Sequence, residues 1–116
     1  MEIKKITIDN KEYEFVNETR STRSGFAHDT KLFCNGNEIA SNSVHYLNRT
    51  WECYRYQTAM KGAVRILMDR VSHRNETLFR KENNIKRMTA EKREKLEKII
   101  ENDPTYKMYK ILYEKL

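Results

Sequence analysis

The sequence predicts an α+β fold: N-terminal antiparallel β-hairpins, three to four strands in all, packed against a C-terminal helical half of about three helices. Three observations carry that reading. Apolar residues alternate on both sides of a short polar turn, an Asn-Gly dipeptide separates two apolar runs, and the periodicity changes to 3.6 residues near residue 50. The 116 residues lie in the usual one-domain range, so residues 1–116 read as a single domain, with a hairpin half over 1–48 and a helical half over 49–116.

The first hairpin follows from alternation. Ile6 and Ile8, then Tyr13 and Phe15 beyond Asp9-Asn10-Lys11, keep one parity whether the loop holds two residues or four. Those four residues share the buried face, while Lys5, Thr7, Glu12 and Glu14 share the other. Asn17 to Ser24 is polar throughout and ends at Gly25, which predicts a loop or a polar strand end. The segment from Lys31 to Cys34 runs into Asn35-Gly36 and then on to Ala40, and both turn residues tolerate the positive φ of a type I′ turn. A further short strand is expected around Val44 to Leu47.

The helical half opens on a polar capping segment with an acidic first turn, from Asn48 and Thr50 to Glu52. Advancing about 100° per residue places Cys53, Tyr56, Met60, Ala63, Val64, Leu67 and Val71 within about 60° of one line, the face predicted to cover the sheet. Trp51, Arg55, Arg65 and Asp69 fall on the far side. From Ser72 to Asn84 the periodicity weakens, and the helix either continues or breaks near His73 to Asn75. Thr89 caps a charged helix with a narrow apolar edge, supported by Glu91–Lys95 and Glu94–Lys98 pairs four apart. Asp103 caps a last helix that starts at Pro104. Its apolar line, Tyr106, Met108, Tyr109, Leu112, Tyr113 and Leu116, is expected to pack on the core or on a second copy of the chain.

Charge is unevenly distributed. Residues 1–50 contain seven Lys/Arg and seven Asp/Glu, so the whole formal net charge of +6 belongs to residues 51–116. Between Arg49 and Arg93 twelve basic residues face five acids. The functional reading is an electrostatic footprint for phosphates at Arg49, Arg55, Arg65, Arg74, Arg80, Lys81, Lys86 and Arg87, with Trp51 as an aromatic neighbour. A solvated helical surface explains the same composition, and the sequence holds both open. The aromatic and basic residues interleaved from Tyr46 through Arg49, Trp51, Tyr54 and Arg55 to Tyr56 have the same two explanations: stacking platforms beside arginines, or packing at a strand-to-helix junction.

Chemistry is tested by spacing. His28, Cys34, His45 and Cys53 are separated by six, eleven and eight residues, which matches no zinc pattern. Cys53 lies on the predicted buried stripe, where a thiol is inert, and His28-Asp29, the one pair that could orient a base, falls in a predicted loop. Three glycines leave no room for a phosphate loop or a dinucleotide fingerprint. The expectation is no enzyme, no catalytic residue, no metal and no small-molecule cofactor. No apolar run approaches the roughly 18 to 20 residues of a membrane span, so a cytoplasmic protein with free thiols and no membrane partner is expected.

The segment Tyr46 to Met60, which contains Leu47-Asn48-Arg49-Thr50-Trp51-Glu52 and Tyr54-Arg55-Tyr56, resembles a pattern found in short accessory proteins of bacteriophages and plasmids. The resemblance implies a mobile-element protein, a category that includes regulators, DNA-handling factors and inhibitors of host defence such as anti-CRISPR proteins. It implies no catalytic residue, and the basic charge sets the chain apart from acidic mimics of DNA. The sequence thus leads to a non-enzymatic binder of a nucleic acid or a protein–nucleic acid complex, with inhibition of a host CRISPR effector among its roles. Two alternatives stand beside it: an interaction module that homodimerises through the last helix, and a nucleic-acid-processing enzyme.

Overall fold

In a computed structural model describing residues 1–116, the alternating half becomes a four-stranded antiparallel meander: β1 (Glu2–Ile8), β2 (Lys11–Thr22), β3 (Gly25–Cys34) and β4 (Asn37–Tyr46). Ile6 pairs with Tyr13, and Phe15 with Leu32, so the predicted apolar face is continuous across the sheet. Two of the three two-residue hairpin turns take positive φ at their central residues, Asp9 and Asn10 in one, Asn35 and Gly36 in the other. That backbone twist matches the right-handed twist of the strands it joins. The helical half follows as α1 (Glu52–Glu82), α2 (Ala90–Asn102) and α3 (Pro104–Glu114).

Two local expectations are corrected, and one open reading is decided: Asn17 to Thr22 form the polar strand end and not a loop, paired through to Thr22 opposite Gly25, which leaves Arg23-Ser24 as the turn. Their inward polar groups bond to one another and to α1; Thr30 Oγ1, for example, donates to the buried Asn17 Oδ1. The separate strand expected at Val44 to Leu47 is the end of β4, and Leu47 lies outside it, exposed. Cys53 is exposed and not on the buried stripe, because Glu52 is the first-turn residue that reaches the sheet, through Thr19.

The helix α1 runs unbroken through His73 to Asn75 and lies across β3 and β4, burying Tyr56, Ala59, Met60, Ala63, Val64, Leu67 and Val71. Gly62 makes the close approach to β4: a Cβ there would meet the Asn42 amide, which donates to Ala59 O at 3.1 Å. Arg70 already reaches Ile39 O near the start of β4, so the turns beyond it run past the sheet. There Phe79 and Leu96 are the buried apolar residues that join α1 to α2. α3 returns beside α1 and spends its apolar line on the chain's own core, with Leu112 fully buried and Tyr13 OH 3.2 Å from Met108 Sδ. α1, 31 residues at about 1.5 Å each, is close in length to the molecule's longest extent of 48 Å. No helix is long and apolar enough to cross a membrane.

The turn into β3 sits against the end of β4. An alanine Cβ at Gly25 would lie 2.2 Å from Tyr46 O and 3.0 Å from Leu47 Cα, whereas Gly36, also at positive φ, faces open space. Gly25→Ala is therefore expected to lower stability by about 2 kcal/mol or more, and Gly36→Ala by about 1 kcal/mol. Urea denaturation of the two variants measures the difference; equal losses would contradict the close approach.

Candidate nucleic-acid interface

The junction between β4 and α1 is built on an unusual residue. Trp51 is the N-cap of α1, in the left-handed conformation (φ 61°, ψ 38°) and without a side-chain capping bond. Asn48, expected to cap, instead accepts from Thr50 N at 3.2 Å. A bulky aromatic in that region costs about 1 kcal/mol or more where Asn or Gly costs little. The indole gains no core packing in return: it is 76% exposed, next to Tyr54 at 62%.

Behind it, polar groups pin α1 to the sheet. Thr19 Oγ1 lies 2.9 Å from His28 Nδ1, 2.6 Å from Glu52 Oε1 and 2.7 Å from Tyr56 OH, and Tyr56 OH donates to the same carboxylate oxygen at 2.7 Å. With Thr19 and Tyr56 both donating to Glu52, the Thr19 oxygen is left as an acceptor, so Nδ1 carries the imidazole proton. His28 Nε2 is then a bare lone pair, buried and without a partner. Burial, reinforced by Arg55 and Arg49 against the pull of Glu52 and Asp29, holds the ring below its ordinary 6.5 and neutral. The hydrogen bonds from Thr19 and Tyr56, joined by Arg49, lower Glu52 from 4.5 to about 2.

His28 belongs to β3 and not to a loop, as does Asp29. Strand alternation turns the two side chains to opposite faces, and Asp29 bonds Ser43 and Arg20 on the open side of the sheet. They form no base-orienting pair. No group of three or more His, Cys, Asp or Glu residues is arranged to hold a metal ion.

The nine predicted interface residues divide among the junction before α1, the two halves of α1 and the loop after it. In the first half, Arg49 pairs with Glu52 at 3.5 Å, and Arg55, expected to project freely, lies half-buried with its guanidinium 3.5 Å from the Tyr46 ring centroid. Arg65 donates to Tyr113 OH at 2.8 Å, and both it and Lys61 stand 5.6 Å from the centre of that ring. Tyr54, Thr58, Lys61 and Arg65 follow one another at spacings of four, three and four, which puts them on one line of the helix. With Tyr113 and Asn42 they line a cleft of about 340 Å³.

In the second half, Arg80 is compensated by Glu76 at 3.3 Å, a carboxylate that Arg93 of α2 also reaches at 3.5 Å. Arg74 and Lys81 are exposed and meet no acid within ion-pair distance, and the same holds for Lys86 and Arg87 in the loop between α1 and α2. Arg70 was not in the predicted set, yet it shares one line with Arg74 and Lys81 at i, i+4 and i+11. That spacing was available from the sequence, as was the line from Tyr54 to Arg65. Tyr113 was not, because it comes from α3. α2 itself is neutral, with Lys92, Arg93, Lys95 and Lys98 against Glu91, Glu94, Glu97 and Glu101.

No family model, curated protein or solved structure matches this chain.

The polar cluster fixes how stability depends on pH. A neutral buried His28 refuses a proton that the unfolded chain accepts below 6.5, so stability falls as pH drops through and below that value. A second loss follows below 4.5, where the unfolded carboxyl of residue 52 is protonated and the folded one, held at about 2, is not. Denaturation midpoints from pH 8 to pH 4 should decline in this way in the native chain, while His28→Asn flattens the upper limb. An upper limb unchanged in that variant would show that His28 is not its source.

Proposed function

We propose that the chain is a non-enzymatic binder of nucleic acid, alone or within a nucleoprotein complex, that grips phosphates along α1 and the loop after it. The observation that carries this reading is the row of cations without carboxylate partners. Arg74, Lys81, Lys86 and Arg87 have none within ion-pair distance: Glu76 is already shared by Arg80 and Arg93, and Glu82, next to Lys81, pairs with no cation. Arg70, Arg74 and Lys81 lie on one line that covers about 16 Å at a rise of about 1.5 Å per residue, enough to meet several successive phosphates. A helix that needed charge only for solvation would resemble α2, where acids and bases alternate and cancel.

The resemblance of Tyr46–Met60 to short phage and plasmid proteins supports a mobile-element setting for this activity. In that setting a basic surface suits a host RNA-guided complex, and inhibition of a CRISPR effector through its RNA is the role proposed.

Phosphate binding has a thermodynamic signature. With about four to six contacts, the logarithm of the association constant should fall against log salt concentration with a slope of about −3 to −5. Simultaneous reversal at Arg74, Lys81 and Arg87 to Glu should weaken binding by about a hundredfold or more while leaving the thermal midpoint unchanged, since all three side chains are exposed. Fluorescence anisotropy with labelled oligonucleotides measures both. Binding that ignores salt and survives the triple reversal rules the proposal out.

A further inference from the structure

We infer that Trp51 and Tyr54 form a stacking platform for an unpaired nucleobase, so that the nucleic acid held by α1 is single-stranded where it passes the start of that helix. This role rests on the phosphate-binding function proposed above and names the class of nucleic acid it takes.

Two independent features of Trp51 point to a ligand. Its backbone sits in a left-handed conformation that an aromatic residue adopts at a cost, and its side chain is 76% exposed, so neither local geometry nor the core explains an indole there. Tyr54 is also mostly exposed, and Trp51, Tyr54 and Arg55 line one shallow depression. The surround is cationic. Arg55 is held flat on Tyr46, and the line that starts at Tyr54 continues through Lys61 to Arg65, whose guanidinium is oriented by Tyr113 OH.

That combination fits a single strand better than a duplex. In a duplex the π-faces of the bases are occupied by their neighbours and only edges and phosphates are presented, so an exposed indole has nothing to stack on. A single strand offers free faces, and aromatic residues beside a basic track are how such strands are bound without sequence preference. A base on Trp51 and Tyr54 leaves its neighbouring phosphates beside Lys61 and Arg65.

Trp51 is the only tryptophan in the chain, so its emission reports on the platform directly. The 116-residue chain is titrated with single-stranded DNA and RNA of mixed sequence and with the matching duplexes. Single strands should quench Trp51 fluorescence and bind more tightly than duplexes. Trp51→Asn and Tyr54→Ala should each weaken single-strand binding about tenfold while duplex affinity stays the same, and Trp51→Phe should keep most of it. Asn is at ease in the left-handed region, so Trp51→Asn should fold with an unchanged or higher thermal midpoint, which separates loss of stacking from loss of structure. Salt-dependent binding with unaltered Trp51 emission, or a Trp51→Asn variant that keeps native single-strand affinity, overturns the platform and leaves phosphate binding standing. Absence of salt-dependent binding to every probe overturns phosphate binding and the platform with it.

Discussion

The rotational setting of α1 governs the rest of the molecule. The sheet has four strands and one face to cover, and α1 offers a single apolar strip, from Tyr56 through Met60, Val64 and Leu67 to Val71, with which to cover it. Once that strip is buried, every other position on the helix is assigned to a direction. Tyr54, Lys61 and Arg65 are turned towards α3, where Tyr113 meets them, while Arg70 is turned towards β4 and bonds its backbone. Lys61 and Arg65 thus face away from the buried strip, while Arg74 and Lys81 continue the strip's own side beyond the edge of the sheet, and a rotation of α1 would move both rows.

The two ends of α1 are held by different physics. At its start, Glu52 and Tyr56 bond Thr19, Arg55 stacks on Tyr46, and the Gly62–Asn42 contact sets the distance to β4. Beyond the sheet, burial falls to Phe79 and Leu96, helped by the carboxylate of Glu76 between Arg80 and Arg93 and by Asn75 bonded to Asp103. Fewer buried contacts mean a lower free energy for local opening in that second region. The aromatic residues therefore sit on the firmer part of the scaffold and the uncompensated cations on the looser part. A fixed surface suits stacking, which is sensitive to geometry, while phosphate attraction tolerates movement.

Much of this was legible in the sequence because it depends on local rules. Alternation placed Ile8, Tyr13 and Phe15 on the core face, Asn35-Gly36 marked its turn, and Thr89 and Asp103 cap their helices by accepting from Lys92 N and from Thr105 N. What was missed depends on distant partners. The polar stretch after Val16 could be loop or strand end, and nothing local decided between them, because Thr19 is satisfied by Glu52 and Tyr56, 33 and 37 positions away. His28 looked like a loop residue for the same reason. Trp51 defied the preference of helix starts for Asn and Thr, and Cys53 lost its place on the stripe to Glu52. The basic half was visible as composition, but its division into compensated and uncompensated cations was not, since Arg93 reaches Glu76 only after α2 packs on α1.

The proposed binding lies wholly on the helical side of the molecule and not on the open face of the sheet, where Lys5 meets Glu12 and Glu14, and Arg20 meets Asp29. Ultraviolet crosslinking of the full chain to single-stranded nucleic acid, followed by mass spectrometry of the crosslinked peptides, tests that placement most directly. The expected result is crosslinks confined to the stretch from Trp51 to Arg87, with Trp51 and Tyr54 prominent among them. Crosslinks concentrated on the outer face of β1 to β4 would contradict it.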